Sequence, residues 1–372
     1  MSEIPGTLIL NGTSHQGEAL VRLARKLKEE SPEAWEQAIG SFLLQWTGSS
    51  DSLEVYTSGS TGDPAVRTVS KKAMVASAVM TGKYFSLREG SNALLCLSAS
   101  TIAGMMMVVR AMVHRLNLIT VPPKGSPLEY GSKESAIAFA AMVPAQVFNS
   151  LQIPETAFKL QSIGTLIIGG APLDPELEKK LEMLPGNYYA TYGMTETLTH
   201  IAVRRLNGPA RSGAYTVLPG VSIAADERGC LTAEVPFIDG GPIITNDVVR
   251  LISADSFEWL GRADFVINCG GRKLHPEQIE KKAAQIIEGN FFVTALPDQK
   301  LGEVPVLVVE VAEVPEATAV NHIADRLKTF LTREEMPRKI LFSRKFAYTA
   351  SGKINRNESM KTVVKDLGFF QV

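Results

Sequence analysis

The chain of 372 residues is 45% hydrophobic and 21% charged, which is typical of a soluble globular protein long enough for two domains. Its 38 Lys and Arg residues balance 39 Asp and Glu residues, so no bulk charge favours nucleic acid or anionic lipid as a partner. The three cysteines, Cys96, Cys230 and Cys269, are too widely spaced for a CxxC zinc site or a disulfide framework, and they indicate reduced thiols in a cytosolic protein.

The N-terminal part of the chain alternates helical and strand patterns. Residues 19–30 place apolar side chains on one helical face, and a second helical pattern follows Ser31-Pro32. Further on, the short apolar runs are Leu53–Tyr56, Leu94–Leu97, Leu118–Val121 and Thr165–Ile168, and the helical patterns between them include Lys71–Phe85 and Pro175–Leu184. This alternation predicts an α/β fold with a largely parallel sheet.

No segment predicts export or membrane insertion. The start, Met1–Pro5, lacks the basic and apolar regions of a secretory signal. The most apolar stretch, Ile102–Val113, has 12 residues and includes Arg110, whereas a span across a bilayer takes about 20 apolar residues. We therefore expect a cytoplasmic protein without a membrane span.

From about Phe257 the pattern becomes that of a compact α+β unit. It comprises a short strand at 266–267, a helix that begins at Pro276, strands at Phe291–Leu296 and Val304–Val311, a helix that ends near Leu331 and a strand at Ile340–Ser343. We predict a large N-terminal domain over residues 1–260, a hinge at 261–264 and a small mobile C-terminal domain over 265–372.

A glycine-rich loop follows the predicted strand Leu53–Tyr56. It reads Tyr56-Thr57-Ser58-Gly59-Ser60-Thr61-Gly62-Asp63-Pro64. Its glycines let the backbone turn sharply and approach a ligand, and its hydroxyls and amides can donate hydrogen bonds to phosphate oxygens. A polar surface turn would also explain the composition. The loop is not a Walker A sequence, because Gly-Lys-Ser/Thr occurs nowhere in the chain.

Several segments accompany the loop in a fixed order. They are Gly169-Gly170-Ala171-Pro172, Tyr192-Gly193-Met194-Thr195-Glu196-Thr197, Thr245-Asn246-Asp247, Gly261-Arg262-Ala263-Asp264 and Thr349-Ala350-Ser351-Gly352-Lys353. Together they resemble the adenylate-forming superfamily, which contains acyl- and aryl-CoA synthetases, luciferases and the adenylation domains of peptide synthetases. The resemblance extends from about Val55 to Arg356. It implies an ATP-dependent, AMP-forming acid–thiol ligase that acts on a small carboxylic acid and uses ATP, Mg²⁺ and CoA.

The resemblance implies that the loop and the YGMTET segment hold the nucleotide. The residues that would bind the nucleotide are Thr57, Ser58, Gly59, Ser60, Thr61, Gly62, Gly170, Ala171, Tyr192, Gly193 and Met194. Glu196 would help to hold Mg²⁺, and Thr195 would contact the α-phosphate. Where the family usually has a lysine, this chain has Ala65. Arg67, two residues further on, either supplies the missing cation or is a structural strand residue.

The resemblance also assigns ribose contacts and a hinge. Asp247 would accept hydrogen bonds from both ribose hydroxyls, although Asn246 stands where the family usually has glycine. Arg262 would be a second ribose contact, and Asp264 would be the hinge about which the small domain rotates between two conformations.

Two further segments would act in the two half-reactions. Lys353 would bridge the substrate carboxylate and the α-phosphate and stabilise the adenylation transition state. Gly270 and Gly271 would line the pantetheine tunnel of CoA, although a hairpin turn also explains two adjacent glycines.

The acyl substrate is indicated by the short N-terminal part, in which only about 55 residues precede the phosphate loop. This part, with Thr101-Ile102-Ala103-Gly104 and Thr199-His200-Ile201-Ala202, resembles some bacterial o-succinylbenzoate–CoA ligases of menaquinone synthesis, although many of these have histidine in place of Thr101. That acid has two carboxylates and a keto group, so its pocket needs a polar or cationic residue. His200 is the first candidate and Arg110 the second. His200 could equally lie near the site without touching substrate, and Arg110 is typical of a helix residue that caps or pairs.

Three classes of function remain open from the sequence. They are a CoA ligase for o-succinylbenzoate or another acid, an adenylating enzyme that loads a carrier protein, and a non-catalytic nucleotide-binding module. Glu196, Asp247, Arg262 and Lys353 together argue against the third class, because a module without catalysis needs none of them. The sequence leaves the oligomeric state open.

Overall fold

The computed structural model describes residues 4–57, 65–130, 136–313, 315–348, 354–366 and 369–371. The chain divides into two compact units. The first unit comprises Met1–Ile223, Ala233–Ile243 and Ser253–Ser256, and the second comprises Ala224–Thr232, Ile244–Ile252 and Phe257–Val372. The rotation of a small domain about residues 261–264 stays a prediction.

Helices and strands alternate through the first unit, as the hydrophobic patterns predict. In chain order they are β1 Thr7–Leu10, β2 Thr13–Gln16, α1 Glu18–Glu30, α2 Ala34–Thr47, β3 Ser52–Thr57, β4 Ala65–Ser70, α3 Lys71–Phe85, β5 Asn92–Leu95, α4 Ile102–His114, β6 Asn117–Thr120, β7 Ile137–Met142, α5 Pro144–Ser150, α6 Pro154–Gln161, β8 Thr165–Ile168, α7 Pro175–Glu182, β9 Tyr188–Gly193, β10 His200–Arg205 and β11 Tyr215–Val217. The apolar stretch at Ile102 is thus the buried helix α4, whose N-cap Thr101 accepts a hydrogen bond from the Gly104 N–H at 3.4 Å.

Most strands of the first unit form one mixed sheet in the order β11-β10-β9-β8-β7-β5-β6-β1-β2. The pairs from β1·β6 through β5·β6, β5·β7 and β7·β8 to β8·β9 are parallel, and only the pairs β1·β2, β9·β10 and β10·β11 are antiparallel. This arrangement confirms the predicted α/β fold with a largely parallel sheet. Because β8 and β9 are parallel, the residues that follow them lie at the same edge of the sheet.

Helices cover both faces of this sheet. One core contains buried residues of α1 to α4 together with sheet residues, among them Leu20, Phe42, Met74, Val108, Leu8 and Leu118. The other core contains buried residues of α5 to α7 with sheet residues, among them Val147, Leu160, Leu181, Leu166 and Tyr188. Strands buried on both faces explain the continuous apolar runs in the sequence.

The strand predicted at Leu53–Tyr56 is present as β3, but it does not join the large sheet. It pairs antiparallel with β4 in a separate two-stranded sheet, from Ser52↔Ser70 to Thr57↔Ala65. Leu53 and Val55 are buried and Glu54 is exposed, which is the alternation of a hairpin with one covered face.

The second unit contains most of the residues of four neighbouring strands, β12 to β15. It also contains the α+β region predicted from about Phe257. The elements are β12 Ser222–Ala225, β13 Cys230–Glu234, β14 Ile243–Ser253, β15 Ser256–Arg262, β16 Ile267–Cys269, β17 Arg272–Leu274, α8 Pro276–Ala283, β18 Phe291–Asp298, β19 Gly302–Glu310, α9 Ala317–Leu327, β20 Lys339–Ser343, α10 Arg356–Asp366 and β21 Phe369–Gln371.

A smaller sheet organises the C-terminal part, in the order β17-β16-β19-β20-β21 with β18 beside β19. Ile279 of α8 and Val320 of α9 pack with Leu307 of β19 in one core, and Val363 of α10 belongs to a second core with Phe292. Among the described residues of the whole chain, no helix has the length and apolarity that a membrane crossing requires.

Candidate active site

The β3–β4 hairpin presents the glycine-rich loop at its tip. Thr57 and Ala65 are Cα partners at the end of this hairpin, so the two ends of the loop are adjacent. Ser58, Gly59, Ser60, Thr61 and Gly62 lie outside the described residues. The predicted catalytic Lys353 also lies outside them, and its role stays a prediction.

The Gly169-Gly170 segment directly follows β8 at the carboxyl edge of the parallel sheet. A Cβ atom at position 169 would collide with Thr191 Oγ1, which donates a hydrogen bond to the Ile168 carbonyl at 3.2 Å. Gly170 has φ +84°, a left-handed conformation that glycine adopts without strain. The backbone of Gly169 is therefore packed against Thr191, and the close approach of Gly170 and Ala171 to a nucleotide stays a prediction.

The YGMTET segment forms the tight connection between β9 and β10. Thr197 is completely buried, and its hydroxyl lies 2.9 Å from both the N–H and the carbonyl of Met194 and 2.7 Å from the Thr199 carbonyl. A Cβ atom at Gly193 would collide with that Thr199 carbonyl. These contacts fix the backbone on either side of Thr195 and Glu196, which explains why the segment needs glycine and threonine at these positions.

Tyr192, the predicted adenine neighbour, packs against a residue that the sequence patterns did not indicate. Its ring lies 5.8 Å from the ring of Tyr215 in an edge-on arrangement. The Arg204 guanidinium covers Tyr215 at 5.6 Å and is itself held by two hydrogen bonds to Glu178, at 2.6 and 2.7 Å. The Arg204–Glu178 ion pair thus packs against Tyr215 and stabilises the aromatic pair.

Glu196 faces the cation that the sequence proposed as a replacement for the missing lysine. Arg67 Nη2 donates to Glu196 Oε1 at 2.6 Å, across 129 positions of sequence. Both side chains keep solvent access, with 46% of Arg67 and 44% of Glu196 exposed. The described residues contain no group of three or more potential metal ligands. An accessible carboxylate of this kind fits Mg²⁺ that is carried mainly by phosphates, because Mg²⁺ commonly binds through one or two carboxylates plus phosphate oxygens.

His200 and Arg110, the predicted substrate residues, lie side by side in the first unit. Arg110 Nη2 is 3.2 Å from Thr199 Oγ1 and 3.5 Å from His200 Nδ1. Burial lowers the pKa of Arg110 to about 10, so the guanidinium stays charged at neutral pH. Burial and the adjacent Arg110 charge hold the pKa of His200 well below its ordinary value, so this imidazole is neutral.

The predicted ribose contacts and the predicted hinge lie together in the second unit. Asp247 is buried on β14, and Arg262 Nη1 lies 3.6 Å from its Oδ1. The same guanidinium donates to Asp264 Oδ2 at 3.1 Å. Asn246, the departure from the family pattern, accepts a hydrogen bond from Arg228 Nη1 at 3.0 Å. The geometry therefore brings Asp247, Arg262 and Asp264 together in one short ion-pair chain.

A buried carboxylate supports the predicted hinge, and the sequence patterns did not indicate it. The Arg262 N–H donates to Glu277 Oε1 at 3.3 Å, while Glu277 Oε2 is buried without a partner among the described residues. Burial raises the pKa of Glu277. Arg356 Nη2 lies 3.9 Å from Glu277 and 2.9 Å from Glu280, so one guanidinium serves two carboxylates.

Gly270 and Gly271 form the two-residue turn of the β16–β17 hairpin. Cys269 and Arg272 are Cα partners, and both glycines have positive φ angles, +56° and +79°. A turn of this kind favours glycine at both central positions. The hairpin that the sequence offered as an alternative explanation is therefore present, and the role of these glycines towards CoA stays a prediction.

The family of the chain follows from comparison with known proteins. A family model described as AMP-binding enzyme matches residues 24–233, which is more than half of the chain. The chain therefore belongs to the AMP-binding enzyme family. The described features agree with this membership. They are the YGMTET turn, the Gly169-Gly170 segment after β8 and the Asp247–Arg262 pair.

Individual relatives narrow the class. The chain is 24% identical over 343 residues to 2-succinylbenzoate–CoA ligase of Bacillus cereus, with 83% of this chain and 69% of that protein covered. It is 34% identical to a crystal structure of an acyl-CoA synthetase (AMP-forming)/AMP-acid ligase II-like protein from Dyadobacter fermentans, with a TM-score of 0.62 and coverage of 92% of this chain and 98% of that one.

A further solved structure shares the fold at low identity. It is o-succinylbenzoate CoA synthetase from Bacillus subtilis in complex with an acyl-adenylate intermediate, which is 16% identical with a TM-score of 0.75 and covers 100% of this chain and 97% of that one. These findings confirm the predicted adenylate-forming fold. They also confirm an ATP-dependent, AMP-forming acid–thiol ligase that uses ATP, Mg²⁺ and CoA.

Proposed function

We propose that this chain is an o-succinylbenzoate–CoA ligase of menaquinone biosynthesis. The observation that carries its ATP-dependent chemistry is the pairing of Glu196 with Arg67 at 2.6 Å, and the acid is inferred from the named relatives. It joins the carboxylate of the YGMTET turn to a cation on β4, the strand that leaves the glycine-rich loop. A nucleoside triphosphate that carries Mg²⁺ requires both groups at this place, a carboxylate for the metal and a cation for the phosphates.

In the first half-reaction, a carboxylate oxygen of the acid attacks the α-phosphorus of ATP and pyrophosphate leaves. Glu196 would hold the Mg²⁺ that neutralises the phosphates, and Thr195 would contact the α-phosphate. Arg67 supplies the charge that the family takes from a lysine, because Ala65 cannot. Lys353 bridges the acid and the α-phosphate. These charges stabilise the negative charge that develops on the transferring group.

The adenosine part of the nucleotide is assigned to residues that the family resemblance indicates. The Gly170-Ala171 backbone and Tyr192 receive the base, while Asp247 accepts from the ribose hydroxyls with Arg262 beside it. Asp247 is well placed for this role, because it is 8% exposed and already lies in an ion-pair chain with a basic partner.

In the second half-reaction, the CoA sulfur attacks the acyl carbonyl and AMP leaves. The domain over residues 265–372 rotates about Asp264 between the two half-reactions, and the turn at Gly270 and Gly271 then lines the path of pantetheine. The ion-pair chain through Arg262 and the Glu277 contact to the Arg262 N–H give the hinge segment defined contacts in the conformation seen here.

The identity of the acid is supported by the relatives named 2-succinylbenzoate–CoA ligase and by the polar residues beside the turn. His200 and Arg110 provide polar and cationic groups next to apolar methionines of α4. An aromatic acid with a second carboxylate requires such a pocket.

Pyrophosphate release from Mg·ATP tests this proposal, measured with a panel of aryl and aliphatic acids, with and without CoA, and with products identified by mass spectrometry. We expect a CoA thioester from o-succinylbenzoate in preference to the other acids. Glu196→Gln should abolish most pyrophosphate release, whereas Glu89→Gln should not, since Glu89 pairs with Arg115 at the surface.

Other outcomes would correct the proposal at different points. If the CoA thioester forms from another acid, that acid is the substrate and the assignment to o-succinylbenzoate is wrong. If acyl-adenylate accumulates in the presence of CoA and the acyl group is transferred only to an added carrier protein, the acceptor is the carrier protein and not CoA. ATP binding without pyrophosphate release from any acid would indicate a non-catalytic nucleotide-binding module.

A further inference from the structure

The first turn of α8 holds the backbone that precedes the predicted hinge residue. Gln278 Nε2 donates to the carbonyls of Trp259 and Leu260, at 3.0 Å each. Glu277 Oε1 accepts a hydrogen bond from the Arg262 N–H at 3.3 Å. Two adjacent side chains thus make three hydrogen bonds to main-chain groups at the end of β15.

Gly261, between the groups that these hydrogen bonds hold, is fitted closely to Glu277. Its φ angle is +153°, and a Cβ atom at this position would collide with Glu277 Oε2. A side chain at position 261 would therefore push Glu277 away from β15, and this backbone conformation would strain it as well. The contact with α8 accordingly explains the glycine at this position.

The residue that follows the hinge is anchored separately. The Arg356 guanidinium lies 4.5 Å from the centre of the Phe265 ring and donates to Glu280 of α8 at 2.9 Å. Phe265 is thus tied to the C-terminal part of the chain, together with α8. The three hydrogen bonds from α8 to β15 cross Asp264, so a rotation about Asp264 that carries α8 has to break them.

We propose that Glu277 and Gln278 are positioning residues that form a latch on the hinge and stabilise the conformation seen here against the one reached by rotation. The proposal rests on the proposed function, because it assumes two half-reactions that need different positions of the C-terminal domain. Residues 257–264 belong to the same compact unit as α8, as a closed latch requires. Loss of one such hydrogen bond changes an equilibrium constant by roughly 2- to 13-fold.

The ratio of the two half-reaction rates measures the equilibrium between the conformations. Each half-reaction proceeds from its own conformation, so each rate scales with the population of that conformation. The ratio therefore changes by the same factor as the equilibrium constant, whichever half-reaction the latched conformation serves. A loss of folded protein lowers both rates equally and leaves the ratio unchanged.

Single-turnover rates test the latch. Adenylation is followed as pyrophosphate release from ATP and the acid that gives the thioester, and thioester formation is followed from pre-made acyl-adenylate and CoA. Gln278→Met removes both hydrogen bonds to the carbonyls at similar side-chain size, so it should change the ratio by roughly 5- to 150-fold. Glu277→Met should change the ratio in the same direction by roughly 2- to 13-fold. Glu277→Gln keeps an acceptor oxygen and should remain near wild type.

A matched control and a readout without turnover accompany these rates. Gln285 is an exposed residue just after α8, so Gln285→Met should leave the ratio unchanged. Hydrogen exchange of the Arg262 amide reports the latch directly. This amide should exchange faster in Glu277→Met than in wild type, and Glu277→Gln should restore its protection.

Three results would overturn the latch. They are an unchanged ratio in Gln278→Met, equal slowing of both half-reactions, and opposite shifts of the ratio in Gln278→Met and Glu277→Met. Failure of the proposed function is seen in the wild type alone, as the absence of a thioester from o-succinylbenzoate. The latch is judged from the ratios of the variants with whichever acid reacts, so the two failures are distinguishable.

Discussion

The Arg67→Ala substitution separates a surface ion pair from a phosphate ligand. In the structure, Arg67 contacts only Glu196 among the described ionisable groups, and nearly half of each side chain is exposed. Exposed pairs of this kind contribute about 0–1 kcal/mol to folding. We therefore expect the free energy of unfolding of the variant to stay within about 1 kcal/mol of wild type.

The effect on nucleotide binding should be larger and selective. If Glu196 holds Mg²⁺ as proposed, the Arg67 guanidinium would be free to donate to the β- and γ-phosphates of ATP, where charge-assisted hydrogen bonds contribute about 1.5–3 kcal/mol. Loss of these bonds should weaken ATP binding by roughly 10- to 150-fold. AMP lacks both phosphates, so its affinity should not change.

Calorimetric titration of ATP and of AMP measures this difference directly. Arg115→Ala is a matched control, because Arg115 forms an exposed ion pair with Glu89 at 2.5 Å. Adding Ala65→Lys to Arg67→Ala restores the cation of the family pattern and should recover most of the ATP affinity. Unchanged ATP affinity in Arg67→Ala would refute the reasoning, and so would an equal loss for ATP and AMP.

Three other substitutions address the half-reactions and the hinge. Lys353→Ala should depress adenylation strongly and leave thioester formation from pre-made acyl-adenylate largely intact; equal loss in both would misplace Lys353. Asp264→Pro should slow thioester formation more than adenylation, with Asp264→Ala as control, and equal residual rates would contradict domain rotation. Burial raises the pKa of Glu280 to about 7, above its unfolded value, so its contribution to stability is present below about pH 4.5 and is lost as pH rises through 7. Glu280→Gln should flatten that decline in urea unfolding between pH 5 and 8, and an unchanged slope would argue against it.

The sequence predicted the elements of the fold where local chemistry decides them. The helix Lys71–Phe85 begins where Ser70 accepts a hydrogen bond from the Ala73 N–H at 3.4 Å, and it ends where Ser86 turns left-handed. The strand Thr165–Ile168 is a buried apolar run in a parallel sheet. Periodicity and capping are sufficient in such cases.

Pairing between distant strands is not encoded locally. An apolar run such as that of β3 reads the same whether it joins a parallel sheet or a hairpin, so its separation from the large sheet could not be predicted. The β9–β10 connection is also short and polar. Its one local signal for a tight turn is Thr197, whose hydroxyl lies within hydrogen-bond distance of the Met194 carbonyl in the same connection.

The resemblance indicated the residues of the candidate site and not the contacts between them. The YGMTET, Asp247 and Arg262 segments were indicated by the resemblance, and their roles in binding and catalysis stay predictions. The choice between a structural and a functional Arg67 depended on a contact across 129 positions, which the sequence does not contain. Tyr215 and Glu277 were missed for the same reason, since each acts through a partner that is distant in sequence.

Two groups of charged side chains depart from what protein stability alone would favour. Arg110 is a buried charge without a described acid, and Glu277 and Glu280 share one guanidinium. Folding alone would favour an apolar residue at 110 and a second cation beside the two glutamates. The proposed substrate pocket would use the first departure, and the proposed hinge would use the second, because its contacts must break when the domain rotates.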